Sequence, residues 1–150
     1  MLEERVDEYF ETRPREPSPY MLLVADVQPE KRLGSTDSSL KGIDRLKHLR
    51  SVVPAVTHVD YSARIQTVDA RRHGRYYRLL KSFESQTGSP VVINTSFNVR
   101  GEPIVCTPED AFRCLMGTEI EFLVVGNSIM RKEDQDPALK LDYKNAYELD

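Results

Sequence analysis

The stretch VVINTSFNVRGEPIVCTPEDAFRCLMG, residues 91–117, contains two regular elements and an unusual connection between them. Val91, Val92 and Ile93 are β-branched and apolar, which predicts a buried strand over residues 91–95. The start of a helix is spelled out further on: Thr107 at the N-cap, Pro108 in the first helical position, and Glu109 and Asp110 facing the positive end of the dipole. Gly117 ends it. Between Thr95 and Thr107 lie 11 residues, where a strand-to-helix connection commonly takes about 2 to 6. In open α/β sheets the ligand crevice lies outside the carboxyl ends of the strands, so an overlong connection at that place is a candidate for chemistry.

Working outward, EFLVVG at residues 121–126 predicts a further strand, and ARIQTV at 63–68 an earlier one. Tyr76, Leu79, Leu80 and Phe83 mark the apolar face of a helix over about 73–87, closed by Gly88 after its C-cap. A strand over about 20–27 is bounded by Pro17, Pro19 and Pro29. Residues 28–54 read as a polar surface connection with one helical patch, Leu40, Ile43, Leu46 and Leu49. Leu2, Val6, Tyr9 and Phe10 predict that the chain opens inside an amphipathic helix without an N-terminal cap. Strand, helix, strand, helix, strand predicts a right-handed βαβαβ unit on a partly parallel sheet. Residues 1–130 read as one domain and the charged residues 131–150 as a tail or surface helix.

Composition narrows the function classes. A chain of 150 residues can bury a single core without disulfides, and 39% hydrophobic against 30% charged residues suits a globular protein. The net charge of −3 leaves no basic footprint for duplex nucleic acid, and no run reaches the roughly 18 apolar residues of a membrane span. The acidic opening MLEERVDEYF is unlike a signal peptide. Cys106 and Cys114 lack metal-finger spacing and read as reduced thiols, so the expected location is cytoplasmic. With no export signal, the sequon at Asn94–Ser96 reads as accidental.

In an extended stretch Ser96, Asn98 and Arg100 share one side, while Phe97 and Val99 face the core. A hydroxyl, a carboxamide and a guanidinium suit an anionic, oxygen-rich ligand such as phosphate. Ser96 and Asn98 can equally hold the loop together through side chain to backbone bonds. A second cluster is His58, Asp60 and Arg64. Two candidate ligands are too few for a metal site, and none is expected. His58 reads as a hydrogen-bonded structural histidine or a proton holder, Arg64 as an ion pair or an anion clamp. Tyr20 and Met21 fit either a core or the lining of a flat ligand's pocket.

The motifs SPYM, AVTHVDYSARIQTV, PVVINTSFNVRGEPIVCTPEDA and LVVGN, taken in order, resemble the C-terminal domain of the NodU/CmcH-type O-carbamoyltransferases over about residues 2–127. The resemblance implies a YrdC-like α/β fold, an open twisted mixed sheet with flanking helices. It implies a part in making carbamoyl adenylate from ATP and carbamoyl phosphate, with magnesium, before carbamoyl transfer to a hydroxyl acceptor. Carried onto this chain, Arg64 and Ser96 take the catalytic positions, and Met21, Ser96, Asn98 and Arg100 lie at the nucleotide. Arg64, His58 and Asp60 lie at carbamoyl phosphate. The resemblance also implies an upstream stretch of K-x-R-E-x-x-R type and a large actin-like ATPase-fold acceptor domain, neither of which is in this sequence. The chain is therefore expected to be a fragment, inactive without that portion. The alternative is a non-catalytic nucleotide- or partner-binding module. Kinship with tRNA threonylcarbamoyl-adenylate synthases is disfavoured by THVDYSAR and RGEPIV.

Overall fold

Leu2, Val6 and Phe10 are buried, but one helix does not carry them. In the computed structural model, which describes residues 1–33, 49–99 and 101–140, Leu2 forms a parallel bridge with Val68. The amide of Glu3 donates to Val68 O at 3.1 Å and the amide of Val68 to Met1 O at 2.9 Å. Only after a 3₁₀ turn at Glu3–Arg5 does a single α-helical turn follow, α1 (Val6–Tyr9), and Phe10 is already extended, bridged to Val27. The expected continuous opening helix is thus corrected. Helical spacing put the apolar residues on one face, whereas the bridge to Val68 holds Leu2 extended ahead of the 3₁₀ turn.

β1 (Leu23–Asp26) pairs with β2 (Ser62–Ile65) in antiparallel register, Val24 opposite Arg64 and Ala25 opposite Ala63. Ala63 and Ile65 join Met1, Val6, Tyr9, Phe10 and Val27 in one buried cluster, while alternation turns Arg64 to the open face. α2 (Gly74–Thr87) has the expected bounds, and Gly88 closes it at φ 74°, where only glycine is unstrained. Its apolar face is narrower than expected. Leu80 is buried against Leu2 and Val68, with Tyr77 and Val92 half-buried beside it, but Leu79 is 60% exposed and Tyr76 and Phe83 are exposed too.

The expected strand over 91–95 does not form. Residues 91–96 make no ladder; Val91 and Val92 are half-buried, and Ile93 is 62% exposed. A β-branched run specifies extended backbone, but pairing needs a partner edge that the run itself cannot name.

Two compact units divide the chain, Met1–Ile93 and the residues from Asn94 onward. In the second, α3 (Pro108–Gly117) starts as the sequence predicts, with a reciprocal capping box. Thr107 Oγ1 accepts from Asp110 N and Asp110 Oδ2 accepts from Thr107 N, both at 3.1 Å. The Thr107 hydroxyl and Arg113 hold the Asp110 carboxyl below its ordinary value. Ala111 and Leu115 are buried against Leu123, and Phe97, half-buried, packs on the same cluster. β3 (Phe122–Val125) pairs antiparallel with β4 (Ser128–Arg131). Gly126, at φ 61°, is the first residue of the two-residue hairpin loop.

The class is α/β with open sheets, as expected. The partly parallel βαβαβ arrangement is corrected: both described sheets are two-stranded and antiparallel, and Leu2–Val68 is the parallel bridge among the described residues. The predicted helical patch at Leu40, Ile43 and Leu46 lies outside the described residues, as does Arg100. Of the 131–150 stretch, Arg131 ends β4, and Lys132–Asp134 and Pro137–Leu139 form 3₁₀ turns. No described helix is long and apolar enough to cross a membrane.

Candidate functional site

Ser18 is buried and fastens the segment before β1 to the end of β2. Its hydroxyl donates to Ile65 O at 2.9 Å and its amide to Thr67 Oγ1 at 2.7 Å. Gln66 Nε2 adds a bond to Pro19 O at 2.7 Å. Those ties deliver Met21 to Arg64. The Arg64 guanidinium donates from Nη2 to Met21 O at 3.2 Å, joining two expected site residues 43 apart in sequence. Met21 has φ 54°, a left-handed conformation uncommon for a residue with a side chain, and such backbone clusters at ligand sites. Arg64 itself is exposed, on the face where Val24 is also exposed.

At the other end of β2 a tight turn binds the remaining candidates of this unit. The amide of Tyr61 donates to His58 O at 3.1 Å, and the amide of His58 to Ser62 O at 2.8 Å. Tyr61 has φ 68°, the second bulky left-handed residue beside a candidate. His58 and Asp60 do not touch directly; Ser62 stands between them. Its hydroxyl donates to Asp60 Oδ1 at 2.7 Å and lies 2.9 Å from His58 Nδ1, while its amide donates to the same Asp60 oxygen at 3.0 Å. The Ser62 hydroxyl and then its amide hold the Asp60 carboxyl below its ordinary value. Ser62 was not singled out from sequence, although an aspartate two residues before a serine is a recognisable side chain to backbone turn.

Ser96 and Asn98 belong to the second unit. Ser96 is exposed. Asn98 is half-buried, and its Nδ2 donates to Val99 O at 3.1 Å and Glu102 O at 2.8 Å, closing a turn in which Glu102 N donates to Val99 O at 3.1 Å. Gly101 takes φ 82° in that turn. The carboxamide donor of Asn98 therefore holds the loop, one of the two roles open to it from sequence, and Ser96 is the exposed polar side chain just ahead of it. Among the described residues no three His, Cys, Asp or Glu side chains come together to hold a metal ion.

Within the first unit, the exposed arginine on the strand face offers a guanidinium to an oxygen-rich anion, whereas His58, Ser62 and Asp60 do not form a nucleophile triad, because Ser62 is buried and its proton is directed to Asp60. Comparison with known proteins gives the chain a family. The family model for the carbamoyltransferase C-terminus matches residues 1–132. An uncharacterized protein of Synechocystis sp. is 53% identical over 100% of this chain and 25% of its own length. Nodulation protein NolNO of Sinorhizobium fredii is 34% identical over 91% of this chain and 18% of its own length. The 3'-hydroxymethylcephem-O-carbamoyltransferase of Streptomyces clavuligerus is 40% identical over 55% of this chain and 16% of its own length. The chain spans a quarter or less of these relatives, 25%, 18% and 16%. By the match over residues 1–132, the chain belongs to the carbamoyltransferase C-terminus family.

Proposed function

We propose that this region supplies part of a site that makes carbamoyl adenylate from ATP and carbamoyl phosphate, ahead of carbamoyl transfer to a hydroxyl acceptor bound by another part of the enzyme. Balance requires water: it releases phosphate from carbamoyl phosphate, and an oxygen of the resulting carbamate displaces pyrophosphate at the α-phosphorus. Such steps need aligned oxygens and neutralised charge more than a protein nucleophile. Arg64 would carry the phosphate of carbamoyl phosphate, with His58 and Asp60 beside it. Met21 in the first unit, and Ser96 and Arg100 in the second, are the candidates for nucleotide contact, with Asn98 holding the loop that carries Ser96. Magnesium, when bound, neutralises phosphate oxygens; an ion held mainly by phosphates and water fits a chain whose described residues bring no three such ligands together. The cytoplasm, where Cys106 and Cys114 would stay reduced, is the proposed location.

The observation that carries this reading is the exposed Arg64 guanidinium held at Met21 O, 3.2 Å away, in a chain of this family. Arg64→Ala should weaken carbamoyl phosphate binding by about 1.5 to 3 kcal/mol, the scale of a charge-assisted hydrogen bond, measured by calorimetry. Unchanged affinity would return Arg64 to an ordinary surface residue. Release of pyrophosphate from ATP should depend on carbamoyl phosphate when the portion present in the longer relatives is supplied. Nucleotide binding without any such release would favour the non-catalytic module.

A further inference from the structure

Met1 and Leu2 lie between two stretches of extended backbone. Met1 turns its backbone toward the continuation of β2: its terminal nitrogen donates to Gln66 O at 2.8 Å, and its carbonyl accepts from Val68 N at 2.9 Å. Leu2 turns the other way, and its amide donates to Pro90 O at 3.3 Å. Val91 packs on the cluster that holds Met1, and Val92 on the one that holds Leu2. With Leu2 opposite Pro90, that alternation makes the run after Pro90 antiparallel to the chain's opening, Val91 opposite Met1 and Val92 opposite the position ahead of it.

Both neighbours reach past Met1. Backbone groups alternate sides along a strand, so Arg64, like Gln66 and Val68, turns its N–H and C=O away from β1. Among the described residues no strand pairs with that edge of β2, and Val92 and Ile93 make no backbone hydrogen bond. The His58 amide takes Ser62 O at 2.8 Å and closes the far end, which leaves a lane about four residues long ahead of Met1. Its floor is apolar. Val53, Pro54, Val56, Val91, Val92 and Ile93 line a groove there, and Ile93 is 62% exposed. A peptide amide at Met1 would donate the same bond to Gln66 without burying a charge.

We propose that the Arg64 edge of β2 and the run Val91–Ile93 together receive one extended polypeptide segment, the one that precedes this region in the longer relatives, as a strand continuing the line of Met1 and Leu2. The family region is a C-terminus, and this chain spans 25% and 18% of two of its relatives, so those polypeptides carry residues ahead of the position of Met1. Carbonyls of the segment accept from Arg64 N and Val92 N, and its residue two positions ahead of Met1 is apolar and covers Ile93. The pairing uses only the backbone of Arg64 and leaves the guanidinium at Met21 O.

The test is amide hydrogen exchange, read by NMR, on the 150-residue chain and on the same chain extended ahead of Met1 by about ten residues, enough to cross the lane, taken from the corresponding stretch of the Synechocystis relative. The expected result is rapid exchange at Arg64 and Val92 in the shorter chain and exchange slowed at least about ten-fold in the extended one, the scale of one added hydrogen bond. Ile93→Asp, at an exposed position, should leave the shorter chain folded and cancel the slowing in the extended chain. The extended chain showing no slowing, slow exchange at both amides in the shorter chain, or slowing that a scrambled extension reproduces or that survives Ile93→Asp overturns the proposal. Protection that grows with the concentration of the shorter chain would give the lane to a second copy and overturn it equally.

Discussion

Leu2→Ala should lower the unfolding free energy by about 2 to 5 kcal/mol. Leu2 is 0% exposed in a small cluster with Val68 and Leu80, and Tyr77 and Val92 pack on it from the side. Its backbone cannot move in to fill the gap. The amide of Leu2 donates to Pro90 O at 3.3 Å, and Met1 and Glu3 on either side are bonded to Val68. A cavity that cannot collapse places the loss in the upper part of the range. Leu79→Ala, at a side chain 60% exposed, should change stability by no more than about 0.5 kcal/mol. Urea unfolding of the two variants makes the comparison. A loss below about 1 kcal/mol for Leu2→Ala would mean that the core does not close over the second residue.

In the isolated 150-residue polypeptide, where Met1 carries a terminal ammonium, acidification should weaken the same segment. The Met1 ammonium donates to Gln66 O at 2.8 Å, and burial pushes its pKa down from 8.0 to about 6. The folded chain thus holds this proton less tightly than the unfolded chain. Above about pH 8 the amine is neutral in both states and the stability is fully present; it is lost as pH falls through about 6, below which the buried charge is carried in full. A displacement of about two units corresponds to about 2 to 3 kcal/mol. The lowered carboxyls of Asp60, Asp69, Glu84 and Asp110 act in a separate, more acidic window, below their ordinary values of 3.8 and 4.5. Denaturant unfolding at pH 5.5, 7 and 8.5 checks the slope, with the N-acetylated chain as control. Acetylation removes the titrating group and should flatten the profile between pH 6 and 8; an equal slope in both chains would place the effect elsewhere.

What could be read from the sequence follows from which interactions are local. The ends of α3 are set by Thr107, Pro108 and Asp110 acting on neighbouring backbone, and the end of α2 by the left-handed Gly88, so both were readable residue by residue. Pairing is not local. VVI at 91–93 satisfies every strand preference and still makes no ladder, while Met1–Glu3, with a helical pattern, pairs with Val68. β4 is absent from the expected elements although a Gly-Asn pair between apolar runs signals a hairpin, and only its last residue, Arg131, falls in the stretch read as a tail. At the candidate site, Arg64 and Met21 came from motif likeness, and the structure adds the Ser18 and Gln66 ties that bring them together. Asn98 and Ser62 show the limit of residue type as a guide. One carboxamide can serve a ligand or a turn, and a serine inside a strand motif gave no sign that it orders a histidine.

Backbone amide NMR of the 150-residue chain during titration with carbamoyl phosphate tests the central claim, that Arg64 with Met21 holds its phosphate. The expected result is that the amides of Met21 and Arg64 move together toward one saturation point, and that Arg64→Ala removes both responses while the rest of the spectrum stays folded. Still signals at Met21 and Arg64, or responses that persist in Arg64→Ala, would contradict it.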